Sequence, residues 1–186
     1  LALEEREVPA PADEETARIL LEAVERDPAA ALDLGEGVAR LRARVAFLQR
    51  AMPELDIPAL DGEALRALLP ALVAGKRRLD EVRATPAEPL FRGLLGGRAL
   101  RLLDEHAPAD LEVPTGRRLP LAYAEDAPPV LAVKLQELFG LAATPRVAAG
   151  RVPVLLHLLS PAGRPVQVTS DLASFWATTY PSVRKE

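Results

Sequence analysis

An α+β fold, with an N-terminal helical region followed by a small mixed α/β module carrying a β-hairpin and a C-terminal helix, is predicted by three observations. Apolar residues recur at steps of three and four through the first part of the chain. After Leu111 they give way to short alternating runs bounded by proline and glycine. Charge divides at the same place: residues 1–110 hold 15 basic and 21 acidic side chains, net −6, whereas residues 111–186 hold 8 and 6, net +2. The expected organisation is therefore a short piece over residues 1–10, a helical region over 11–108 and an α+β module over 109–186.

The elements follow in order. PAPADEE supplies a proline turn and acidic residues for a first helical turn, and TARILLEAVER continues the helix. Asp27, Pro28, Gly35 and Gly37 punctuate a linker. VARLRARVAFLQRAM then carries Val38, Leu41, Val45, Leu48 and Met52 on one stripe, with Arg40, Arg44 and Gln49 off it. Asp61 stands as the N-cap of EALRALLPALVAG, where Leu65, Leu68, Leu69 and Leu72 form a second stripe, Pro70 is expected to kink or split the helix, and Gly75 ends it. Two weaker helical pieces follow, Pro89 to Leu95 and Arg98 to His106.

Beyond Leu111, LEVPTGRRLPLAYA reads as two short strands around the turn Pro114-Thr115-Gly116, with the prolines favouring edges. VLAVKLQELFG reads as a compact helix ending at Gly140. RVPVLLHLL is a short apolar run suited to a buried strand, and Ser160-Pro161-Ala162-Gly163 has the residue order of a type I turn. PVQVT returns as the second strand of the hairpin. Ser170 is then placed to cap a helix with Asp171 in its first turn and Leu172, Phe175, Trp176 and Tyr180 along one face.

A chain of 186 residues buries roughly 70% of its unfolded surface, enough for a core without a metal or disulfide staple. No window approaches the roughly 18 apolar residues of a membrane span, and LALEEREVPA is acidic where a signal peptide is basic and then apolar. The chain is accordingly read as cytoplasmic, with no membrane partner. It has no cysteine, which excludes disulfides, thiolate metal sites and cysteine nucleophiles.

Chemistry-bearing motifs are scarce. The sequence has no GxxxxGK[ST], no GxGxxG after a strand and no HExxH. His157 lies inside an apolar strand and reads as a core or edge histidine. Asp104, Glu105 and His106 are adjacent on a helix, so they do not face one another and read as a solvated helix end. Ser160 and Ser170 are explained by turn and cap. No catalytic, cofactor-binding or metal residue is assigned.

The basic residues carry more. Arg117, Arg118, Arg146, Arg151 and Arg164 fall at ends or turns of the expected strands, and Arg184 and Lys185 follow the last helix. They are the candidate nucleic-acid contacts, suited to phosphates if they gather on one face and plain solvated side chains if they do not. Lys76-Arg77-Arg78 reads as charge at a helix C-terminus. Trp176, Phe175 and Tyr180 are either core or a platform on which bases stack.

The segments PPVLAVKLQELFGL and TPRVAAGRVPVLLHLLSPAGRPVQVTSDLASFWATTYPSVRKE resemble the C-terminal region of the bacterial HrpB-type ATP-dependent helicases, relatives of the DEAH-box RNA helicases. LRARVAFLQRAMPEL and LEVPTGRRLPLAY are similar to that region in order and spacing, so the likeness covers about residues 38–186. LALEEREVP resembles the strand that ends the preceding domain, making residues 1–10 a remnant of it. The resemblance implies an accessory C-terminal domain of a larger enzyme, whose ATP and Mg chemistry belongs to two RecA-like motor domains with motifs this sequence lacks. It implies those motor domains as partners, with single-stranded RNA or DNA as a further one. The competing expectation is a protein-interaction or scaffolding module that packs against the motor or an outside partner.

Overall fold

The computed structural model describes residues 11–124 and 126–183. The strand expected within residues 1–10 lies outside the described residues. Six helices come first: α1 (Glu14–Arg26), α2 (Pro28–Ala31), α3 (Gly35–Ala51), α4 (Gly62–Val73), α5 (Leu79–Arg83) and α6 (Glu88–His106). Eight short strands follow, and the described chain closes in two further helical turns, so the architecture is α+β. Contacts divide it into two compact units, Leu1–Ala39 with Ala59–Leu94, and Arg40–Pro58 with Leu95–Glu186.

In the first unit, Asp13 caps α1 by accepting a hydrogen bond from the Thr16 amide at 2.9 Å, which holds its carboxyl below the ordinary aspartate range. Leu20 and Val24 of α1 and Leu68, Leu69, Leu72 and Val73 of α4 are buried, as are Val82 and Phe91. Asp61 caps α4 through the amides of Glu63 and Ala64, at 2.9 and 3.1 Å. The helix runs on past Pro70, which is exposed, and closes at Gly75 (φ +70), where the Lys76 amide donates to the Val73 carbonyl. The stretch read as a linker holds α2 and the first turn of α3, with Pro28 pre-set for the first helical position.

The second unit takes most of the α3 stripe: Leu41, Val45, Leu48 and Met52 are all at most 5% exposed. Arg44, expected off that stripe, is buried instead. Its Nε donates to the Ala107 carbonyl at 2.7 Å and its Nη2 to Asp104 at 2.8 Å, which satisfies a charge that burial alone makes costly. Helix α6 is interrupted at Gly96 (φ 69, ψ 168), a backbone conformation that only glycine holds without strain, and this is the break between the two expected helical pieces.

Strands β1 (Asp110–Glu112) and β2 (Arg118–Pro120) pair antiparallel. Strands β3 (Ala122–Ala124), β4 (Ala127–Lys134), β7 (Leu155–Leu159) and β8 (Pro165–Thr169) form a mixed sheet in the order β3-β4-β7-β8. Strands β5 (Arg146–Val147) and β6 (Val152–Pro153) make a small separate ladder. The segment read as a compact helix, VLAVKLQELFG, is a strand through Lys134, and only Leu135–Leu138 coils, as a 3₁₀ turn. Two prolines hold its start extended, Val130 and Val133 are β-branched, and neighbours on both sides satisfy its backbone. Leu131 and Val133 lie opposite Leu156 and Leu158, and all four are at most 1% exposed.

The β7–β8 hairpin forms as expected, with the Gly163 amide donating to the Ser160 carbonyl at 2.9 Å. Its register places Gln167 opposite buried Leu158 and Val168 opposite His157 on the other face, where Val168 is 55% exposed. The cap of the last helical segment is Asp171, whose side chain accepts from the Ser174 amide at 3.0 Å; the Ser170 carbonyl instead receives the Thr144 hydroxyl. α7 (Leu172–Ser174) runs into a π turn over Phe175–Thr179 and then α8 (Tyr180–Val183), with the Tyr180 amide reaching back five residues to the Phe175 carbonyl.

Candidate nucleic-acid interface

Sheet register builds the site. Strands β4 and β7 run parallel, from Val130 opposite Leu155 to Lys134 opposite Leu159, so the two end together. The Ser160–Gly163 turn leaves from that end and Arg164 closes it, its amide donating to Ser160 Oγ at 3.1 Å and its carbonyl receiving the Ser160 amide at 2.8 Å. Lys134 and Arg164 therefore share one end of the sheet. The 3₁₀ turn after Lys134 carries Glu137, a buried carboxylate that accepts the Lys134 amide at 3.3 Å and is ion-paired with Arg117.

The five described candidate arginines divide by what their guanidinium groups touch. Arg117 neutralises Glu137. Arg146 closes the β5–β6 loop, donating to the carbonyls of Gly150 at 2.6 Å and Arg151 at 3.1 Å, across three consecutive left-handed residues, Ala148, Ala149 and Gly150. Arg151 donates to the Ala51 carbonyl at 3.1 Å and pairs with Glu54, and its side-chain hydrogen bond to Glu54 holds that carboxyl below its ordinary range. Arg118 and Arg164 are exposed, and their guanidinium groups have no partner among the described residues; Arg118 stands opposite Glu112 in the β1–β2 register. Arg184 and Lys185 lie outside the described residues.

Between Ala127 and Val183 the sequence holds only two carboxylates, Glu137 and Asp171. Arg117 neutralises one and helix capping uses the other, at the opposite end of β8 from Arg164. Neither carboxylate of residues 127–183 is thus left to pair with Lys134 or Arg164. Lys134 escaped the sequence reading because its segment was assigned to a helix; the paired prolines and β-branched residues ahead of it were the available signal.

An aromatic group follows. Phe139, directly after the 3₁₀ turn, is 51% exposed and lies 6.0 Å from the Trp176 ring and 5.9 Å from Tyr180, centroid to centroid. Trp176 and Tyr180 meet edge to face at 5.0 Å. Phe175 is buried beneath, and the Trp176 indole donates to the Leu141 carbonyl at 2.8 Å. Phe139, Gly140, Leu141, Ala142, Trp176 and Tyr180 bound a cavity of about 470 Å³. Phe175 is thus core, while Trp176 and Tyr180 are half-buried and reach the cavity wall.

The sequence has no phosphate-cradling glycine loop, and no three histidine or carboxylate groups gather as metal ligands among the described residues. Nor is any helix among the described residues long and apolar enough to cross a membrane.

Residues 68–186 match the family described as ATP-dependent helicase C-terminal, HrpB_C. The chain is 39% identical over 181 residues to the ATP-dependent RNA helicase HrpB of Escherichia coli K12, a match covering 95% of this chain and 22% of that protein. It superposes on the crystal structure of E. coli DExH-box NTPase HrpB with a TM-score of 0.87 at 37% identity, over 97% of this chain and 23% of that one. For the crystal structure of E. coli DEAH/RHA helicase HrpB the TM-score is 0.81 at 36% identity, over 100% and 24%. The chain spans less than a quarter of these relatives, and both its sequence and its fold place it in the HrpB C-terminal helicase family.

Proposed function

We propose that this chain is the accessory C-terminal domain of a cytoplasmic ATP-dependent RNA helicase, packing against RecA-like motor domains that carry the ATP chemistry. Its own task is to hold single-stranded RNA by the phosphate backbone. The observation that supports this reading is the end of the β3-β4-β7-β8 sheet shared by Lys134 and Arg164, whose guanidinium has no partner among the described residues. Phosphate contacts of this kind position a strand without reading its sequence. Arg118 joins them as the other described candidate whose guanidinium the fold leaves open. Arg117, Arg146 and Arg151 act mainly by holding their loops in place.

The reading is tested by charge reversal. Lys134→Glu combined with Arg164→Glu is expected to weaken binding of labelled single-stranded RNA at low salt by tenfold or more, since two contacts are lost and two repulsions gained. Fluorescence anisotropy measures it. Unchanged affinity in a folded variant would remove the sheet end from the binding surface.

A protein-interaction role is the second reading, favoured by the outer face of the sheet. Val168, exposed beside His157 and near the edge of the sheet, gives that face an apolar point suited to a protein neighbour. Loss of co-purification with the motor domains in Val168→Glu, with RNA binding intact, would support it.

A further inference from the structure

We propose that Arg117 is a positioning residue for Lys134: by neutralising the buried Glu137 carboxylate, it keeps the Lys134 ammonium open to an outside anion. This deepens the RNA-holding reading and rests on it for the identity of that anion.

The first observation is the place of Glu137. It is 6% exposed and is the only carboxylate among the buried side chains of the described residues. It lies three residues past Lys134, and its Oε2 accepts the Lys134 amide at 3.3 Å, so acid and lysine are held on one turn of backbone. An ionised carboxylate taken out of water needs a paired charge or a proton. Asp171, the other carboxylate of residues 127–183, follows the end of β8 opposite Arg164. Glu137 is therefore the acid of that stretch able to compete with an incoming anion for Lys134.

The second observation is which cation takes it. Arg117 reaches Glu137 from the β1–β2 turn and pairs with Oε1, while Oε2 is left to the backbone amide. Lys134 makes no ion pair among the described residues. Arg118, the neighbouring cation on the hairpin, stands opposite Glu112. Removing the Arg117 guanidinium leaves a buried, unmatched carboxylate, and Lys134 is the cation closest to it in sequence, on a flexible four-carbon stem. An ammonium folded back onto Glu137 is lost to a phosphate. Arg117 thus contributes to anion binding without touching the anion.

Acylation by an N-hydroxysuccinimide ester of acetate reads Lys134 directly. The chain has three lysines, Lys76, Lys134 and Lys185, so peptide mass spectrometry resolves the rate at each, and Lys76 serves as the internal reference. Wild type, Arg117→Ala, Glu137→Gln and the Arg117→Ala/Glu137→Gln double variant are compared, with folding of each verified by circular dichroism. A carboxylate partner keeps an amine protonated and slows its acylation. Lys134 is expected to react several-fold more slowly in Arg117→Ala and to regain the wild-type rate in the double variant. The salt dependence of oligouridine binding is measured beside it. Its slope should fall by roughly 0.7, the share of one phosphate contact, in Arg117→Ala and recover in the double variant. A merely structural role for Arg117 would move the denaturation midpoint and leave the Lys134 rate and the salt slope unchanged.

An unchanged Lys134 rate in Arg117→Ala overturns the proposal, since the carboxyl has then met the loss by taking up a proton. Slowing that persists in the double variant overturns it too, because Glu137 is not the cause. A salt slope still lowered in the double variant makes Arg117 a phosphate contact in its own right and overturns its indirect role. No oligouridine binding by the wild-type chain, with the labelling pattern as expected, overturns the RNA reading and leaves the relation between Arg117, Glu137 and Lys134 standing.

Discussion

Leu156→Ala is expected to lower the free energy of unfolding by about 3 kcal/mol, the middle of the range for a leucine removed from a packed core. In a chain of this size that is a fall of roughly 6–12 °C in Tm. The expectation rests on position. Leu156 is fully buried in strand β7, in register with Leu131 on the parallel side and with Thr169 on the antiparallel side, so neither neighbouring strand can close over the space left behind. Val168→Ala on the outer face of the same hairpin is the matched control, and its effect should stay within about 0.5 kcal/mol. Denaturant midpoints compare the two. A slip of one residue would exchange the two faces, so similar losses at both positions would contradict the register.

Arg44→Ala should cost about as much, roughly 3 kcal/mol, for a different reason. Arg44 is 6% exposed and makes two hydrogen bonds, one to Asp104 and one to the carbonyl of Ala107, a residue with no solvent exposure. Truncation leaves that carbonyl without its partner in a region water does not reach, and an unsatisfied buried group is costlier than a lost surface pair. Asp104, with a side chain 71% exposed, is returned to solvent by the same change and loses little. Asp104→Ala is therefore expected to cost under about 1 kcal/mol. Arg44→Lys should recover only part of the loss, because an ammonium cannot reproduce the planar fork that serves both acceptors. Equal costs for Arg44→Ala and Asp104→Ala, measured by denaturant unfolding, would show that the ion pair and not the carbonyl bond is what matters.

These two positions also show what a sequence can and cannot disclose. The α3 stripe was legible because a helix repeats its faces on a fixed period, and every expected stripe residue from Val38 to Met52 is buried. The break in α6 was legible because paired glycines interrupt the pattern, and Gly96 adopts a backbone other residues avoid. Arg44 was not legible. Its burial depends on Asp104 and Ala107, about sixty residues away, and periodicity carries no information about a partner that distant.

The same limit explains the strand at 127–134. A short apolar run bounded by turn residues is compatible with helix or buried strand, and the choice was made by β3 and β7 pairing on either side of it. Misplacing that strand hid Lys134, which could not be set at the end of a sheet without it. The arginines were correctly placed at strand ends and loops, yet sequence could not say which of them the fold would engage. Arg146 and Arg151 bind carbonyls that become available only when the β5–β6 loop and the end of α3 are in position.

The most direct test of the account is the salt dependence of single-stranded RNA binding by the intact chain. Phosphate contacts release counterions, so the logarithm of affinity should fall linearly with the logarithm of salt concentration, by roughly 0.7 per phosphate contacted. A steep wild-type slope, reduced by about 1.4 in the Lys134→Glu/Arg164→Glu chain, is the predicted result. A folded chain that binds no RNA at low salt, or binds it with no dependence on salt, would contradict the claim that this domain holds a strand by its phosphates.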